Sequence, residues 1–149
     1  MDVVVPDGTG WLGIGIAFVV AFFLSFLWWG PLFGKKWATE MGMDMDEAPP
    51  MAKPLLLQAA GTALFVYVLW NVMHAFTVSV DHANPNQLML NDISWSAGFM
   101  GAFFTWLGFF VPAHLGRAAW EKASWTLVGI NLAGHLVVLF ALSIVFILV

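Results

Sequence analysis

Four stretches of the chain, Trp11–Gly30, Pro54–Thr77, Ser94–His114 and Trp125–Leu148, contain no Asp, Glu, Lys or Arg. Each is long enough, at about 20 mostly apolar residues, to cross roughly 30 Å of hydrocarbon as a helix. Inside a bilayer no water is available to a peptide group, so each segment must close its own hydrogen bonds. A helix does this and an open strand does not. The alternating apolar pattern of a barrel strand is absent. The expected fold is therefore all-α: an integral membrane four-helix bundle forming a single domain over residues 1–149. Connections 31–53 and 115–124 fall on one side and connection 78–93 on the other.

Composition agrees. The 149 residues are 61% hydrophobic and only 9% charged, whereas a soluble domain carries about 25% charged residues. Nine Trp and fourteen Phe add apolar surface that one small water-soluble core cannot bury. The first span reads as a retained helix rather than a cleaved leader. The tail before it holds Asp2 and Asp7 but no basic residue, and no small-x-small site follows. The net charge of −4 leaves no basic footprint for nucleic acid. With no Cys in the chain, disulfides and thiolate sites are excluded and the redox compartment stays open.

The basic residues Lys35, Lys36, Lys53, Arg117 and Lys122 all lie in the first and third connections. The positive-inside rule places those connections in the cytoplasm and both termini outside. Trp11 and Trp95 then mark outer ends, while Trp28, Trp29, Trp120 and Trp125 mark inner ends as interfacial indoles. Trp70 and Trp106 lie deeper, where packing or lipid contact accounts for them.

Helices in lipid meet where small residues let backbones approach. Gly13, Ala17, Ala21 and Ser25 form such a stripe on the first span, and Gly98, Gly101, Thr105 and Gly108 on the third. Packing within the monomer is the plain reading and self-association the sharper one. Pro112 is expected to bend the third span.

Polar residues within a membrane are costly and so count as candidates for function. Tyr67, Asn71 and His74 share one face of the second span, and Asn131 and His135 one face of the fourth. Interhelical hydrogen bonds fixing register are the plain reading; a binding site or proton path is the sharper one. Depth favours a Tyr67–His135–Asn131 cluster over a haem bridged by His74 and His135. From the inner face, His135 lies roughly 15 Å in and His74 about twice as far. His114 reads as interfacial. No phosphate loop, His-Glu-x-x-His run or intramembrane carboxylate pair is present, so no catalytic set, metal or cofactor is expected. Asp44, Asp46 and Glu47 are too few oxygen donors for a hard cation. Met41, Met43 and Met45 suit an adaptable contact. Asp81 and His82 read as a loop turn.

The segment FLWWGPLFGKKW, Phe26 to Trp37, supplies an orientation marker and a possible docking motif through Trp28, Trp29, Gly30, Pro31, Gly34, Lys35 and Trp37. Continued through WATEMGM, it resembles the signature of a bacterial membrane family known as domain of unknown function 1761. GINLAGHLV, with Asn131 and His135, is similar to the family's last helix, and GFFVPAHLGRAAWE is a looser match. At Trp29 and Gly134 the chain departs from the pattern, where Tyr is expected at both. The resemblance implies a small four-helix membrane protein and no activity.

Together these readings describe a non-catalytic protein of the inner (plasma) membrane. Its partners are the lipid bilayer and either further copies of itself, as a homo-oligomer, or a larger membrane complex in which it is an accessory subunit. A small transporter or channel, with a polar path lined by Tyr67, Asn71, Asn131 and His135, is the alternative. A membrane enzyme, or a quinone or pigment binder, using the same histidines ranks behind both.

Overall fold

The computed structural model describes residues 2–3, 9–43, 52–75, 77–80, 87–90 and 92–149. Its helices are α1 (Thr9–Leu27), α2 (Gly34–Glu40), α3 (Ala52–Ala75), α4 (Trp95–Thr105), α5 (Val111–Trp120) and α6 (Trp125–Leu148). They give four spans long and apolar enough to cross a membrane: Gly10–Leu32, Ala52–Ala75, Trp95–Trp120 and Trp125–Leu148.

The helix α6 is the hub. It packs on both α1 and α4, while α3 leans on α1. Leu139, Leu142 and Ser143 of α6 are fully buried, as are Ala17 of α1, Val66 of α3 and Ala102 of α4. The small residues act inside this bundle. A Cβ at Gly13 would stand 3.3 Å from Val149 Cγ1, one at Gly98 only 2.7 Å from Ile147 Cδ1, and one at Gly101 3.3 Å from Met73 Cε. Ser143 adds a polar tie, sharing its hydroxyl proton between the Gly98 carbonyl of α4 at 3.1 Å and its own Leu139 carbonyl at 3.0 Å. Phe23, Leu56 and Phe109 point outward, as suits a lipid-facing surface.

Two spans contain a π turn, Trp28–Leu32 after α1 and Trp106–Phe110 between α4 and α5. The first contains Pro31 and the second ends two residues before Pro112. Proline has no N–H to give and its ring crowds the carbonyl four residues back, so the backbone widens by one residue. Phe33 N–H reaches back five residues to Trp28 C=O at 2.9 Å, and Val111 N–H does the same to Trp106. At Pro112, where a bend is expected, the preceding turn is widened, and the third span continues through it to Trp120. The expected 115–124 connection shortens accordingly. Arg117 and Glu121 pair at 2.9 Å along the continued helix, and Ser124 caps α6 by accepting from Leu127 N–H at 3.1 Å.

At the opposite end, β1 (Asp2–Val3), β2 (Val78–Val80) and β3 (Gln87–Leu90) form a small sheet in the order β1-β3-β2, parallel then antiparallel. The connection expected to be a loop over 78–93 thus carries two short strands, in keeping with its Val and Leu content. Asp44, Met45, Asp46, Glu47, Asp81 and His82 lie outside the described residues.

Candidate functional site

The two π turns bring three indoles to one level of α6. Trp28 Nε1 donates to the Ile130 carbonyl at 3.0 Å, Trp29 Nε1 to Asn131 Oδ1 at 2.8 Å, and Trp106 Nε1 to the Leu132 carbonyl at 2.8 Å. Gly134 makes the approach possible. A Cβ there would lie 2.6 Å from Trp28 Cδ1 and 2.8 Å from Trp29 Cζ2, well inside van der Waals contact. Gly34 has a similar part in α2, since a Cβ there would lie 2.8 Å from the Trp29 carbonyl. Trp28 and Trp29, expected as interfacial anchors, are instead turned into the bundle. Their N–H groups find fixed acceptors on α6, and Gly134 leaves room for both rings.

An indole N–H can only donate, so the atom of Asn131 that receives it is the carbonyl oxygen. The Asn131 side-chain NH₂ is left to face elsewhere, although the residue is only 5% exposed. One turn on, His135 is held by rings: Trp29 at 5.1 Å, Phe110 at 4.4 Å and His114 at 5.4 Å between centroids, the last stacked at 25°. Beside these groups lies a cavity of about 420 Å³ between α1, α2, α3, α5 and α6. Phe22, Phe26 and Leu55 make apolar wall, while Ser25, Gln58, His114, Arg117, Asn131 and His135 supply its polar groups. The size is that of a small-molecule pocket, for which about 300–1,000 Å³ is usual.

The half of the bundle toward the sheet carries the tightest packing among the described residues. Val66, Leu139 and Leu142 are 3% exposed or less and fill the half toward the sheet. Among the described residues no group of three or more His, Asp or Glu could hold a metal ion.

Outside the four candidate spans, α2 is fixed against the start of α6. Ser124 donates to Glu40, and Lys36 pairs with the same carboxylate at 3.0 Å. These two partners, Ser124 first, hold the Glu40 carboxyl below its ordinary range.

Of the residues singled out in the sequence, Asn131 and His135 meet in the cavity; the other three do not join them. Tyr67 stacks on Trp11 at 6.3 Å and is 46% exposed. Asn71 donates to the Tyr67 carbonyl of its own helix at 2.8 Å. His74 stacks on Trp70 at 4.1 Å, with Nδ1 2.8 Å from the Trp70 carbonyl. The geometrically favoured Tyr67–His135–Asn131 cluster is thus not formed: α3 turns its Tyr67 face toward α1 and the outside, because Val66, Leu69 and Met73 take the inward positions. Of the signature residues, Gly30 and Trp37 line the cavity, Pro31 sits in the π turn, and Lys35 is exposed, its carbonyl accepting from Thr39. Sequence reasoning missed Ser25, Gln58 and Arg117 and set His114 aside. The spacing of His114 and Arg117, three apart on one helix face, was the available signal.

Residues 12–147 match the family model described as "Protein of unknown function (DUF1761)". The chain belongs to this family. No curated protein and no solved structure matches it. Within this DUF1761 chain the segment Phe26–Trp37 lines one side of the cavity through Phe26, Trp29, Gly30 and Trp37, and Trp29 packs against Gly134.

Proposed function

We propose that this DUF1761 protein is a non-catalytic binding protein of the inner (plasma) membrane, whose cavity receives a small amphiphile from the cytoplasmic leaflet. The observation that carries the reading is the cavity of about 420 Å³ with apolar walls and polar groups gathered around Asn131 and His135. A pocket lined mainly by apolar surface with few convergent polar groups is the usual form of a ligand site. The two histidines stack face to face, and among the described residues no carboxylate lines the cavity beside them to orient either ring as a base.

The test uses the natural absence of Cys. Ser25→Cys, protein in oriented vesicles, should react with a water-soluble thiol reagent from the side bearing Lys35 and Arg117. Ser143→Cys, at a fully buried position, should not react. A folded Ser25→Cys variant that labels from neither side would overturn the reading. Labelling from both sides would replace it with a transporter or channel.

Assembly is a second and separate proposal: a homo-oligomer, or an accessory subunit in a larger complex. Its support is the exposed Asn71, whose amide donates only within its own helix among the described residues and would gain from a partner in the bilayer. A monomer mass in mild detergent with no companion protein would count against it.

A further inference from the structure

Four of the six polar groups of the cavity share a chemical bias. Arg117 and Asn131 line it as donors and His114 and His135 can donate, while Ser25 and Gln58 can donate or accept, and among the described residues no Asp or Glu lines it. Asn131 has committed its oxygen to Trp29, which leaves its NH₂ as what it offers the cavity. Neither histidine makes a hydrogen bond among the described residues, and no fully buried side-chain polar atom is orphaned there. Their ring nitrogens are therefore open to whatever fills the space. Arg117 is bound by its Nε alone, to Glu121, so the terminal nitrogens of its guanidinium remain for another acceptor. The opposite wall, Phe22, Phe26 and Leu55, offers only hydrocarbon and aromatic surface.

Resting on the pocket reading above, we infer that the ligand is a single-chain amphiphile with an anionic oxygen head, a carboxylate or a phosphate. The head lies among Arg117, His114, His135 and Asn131, and the chain lies along Phe22 and Phe26. An anion here meets neutral donors and the terminal nitrogens of Arg117, whose Nε alone is engaged by Glu121, and charge-assisted hydrogen bonds of this kind are the stronger class. A neutral head of the same chain forfeits that contribution.

Protection of Ser25→Cys from the thiol reagent measures occupancy directly. Oleate and dodecyl phosphate should protect at concentrations on the order of tenfold below those needed for oleyl alcohol, the margin expected of hydrogen bonds to a charged group. Arg117→Gln should erase the difference, Arg117→Lys should retain most of it, and Glu121→Gln, which frees the guanidinium, should not reduce it. Unchanged labelling of Ser25→Cys and silence of Ser143→Cys in each background report that the bundle is intact. Equal protection by oleate and oleyl alcohol would overturn the anionic head while leaving the pocket reading standing. Protection by inorganic phosphate at the same concentrations would overturn the chain. An accessible Ser25→Cys that no amphiphile protects would overturn the inference altogether.

Discussion

At Gly134 two indoles occupy the space that a side chain would need. Gly134→Ala would force Trp28 and Trp29 away from the Ile130 and Asn131 acceptors, because both rings come within 3 Å of the new Cβ. We expect a loss of about 1–3 kcal/mol, the usual cost of overpacking a close contact, read as a lower unfolding temperature in detergent. Gly129→Ala is the control on the same helix. Nothing lies within 4 Å of that position, so the outcome should be neutral or a gain of up to about 1 kcal/mol from helix propensity. The Trp29–Asn131 bond can be isolated by a double-mutant cycle of Trp29→Phe and Asn131→Leu. We expect a coupling of about 0.5–1.5 kcal/mol, the range of polar ties between membrane helices. At this scale the sequence was only partly legible. Asn131 and His135 stand out because polar groups are rare in an apolar helix, but a tryptophan facing lipid and one donating to a neighbouring helix look alike in a string of letters. The contact between Trp29 and Gly134 is long-range, so neither residue alone signals it.

Among the elements, α2 is held in part by charge. Its end follows the Schellman pattern: Gly42 N–H donates to the Thr39 carbonyl at 3.1 Å and Met43 N–H to the Ala38 carbonyl at 3.0 Å, with Gly42 at a φ of 67°. Gly42→Ala should fray α2 at a cost of roughly 1 kcal/mol, since left-handed backbone suits glycine. The contact with α6 runs through Glu40. Its carboxyl is held below the ordinary value of 4.5 by the Ser124 hydroxyl and then Lys36. A carboxyl with a lowered value in the folded state stabilises docking above the unfolded value and loses that contribution as pH falls through the folded one. Hydrogen exchange over residues 34–40 should therefore speed up below about pH 4.5, and Glu40→Gln should remove that pH step. The existence and span of the long helices were readable because bilayer thickness imposes one length on every crossing. The π turns and the run of α5 to Trp120 were not. Proline announces a disturbance, but whether the chain kinks, stops or widens depends on the neighbours that take up the freed groups.

Across the whole molecule packing is uneven, and that unevenness is what separates a ligand site from a packing accident. The half toward the sheet is filled by Val66, Leu139 and Leu142, while the half toward Arg117 holds the cavity. Hydropathy cannot reveal such a division, because wall and filler are both apolar, and in helices apolar all round no periodicity says which face turns inward. That is why Tyr67 and Asn71 share a face with His74 and yet join no site with His135. A void left open between helices costs stability, and filling one commonly returns about 0.5–2 kcal/mol. Ser25→Leu places an apolar side chain at the cavity wall next to Phe22 and Phe26. We expect it to raise the unfolding temperature by about 2–4 °C for a chain of this size, while amphiphile added to the purified protein no longer raises it further. The unsubstituted protein should gain stability only when the amphiphile is present, because a ligand that binds the folded state alone stabilises by mass action. If Ser25→Leu and the unsubstituted protein responded to amphiphile alike, the ligand would be binding elsewhere and the cavity would be only a gap between helices.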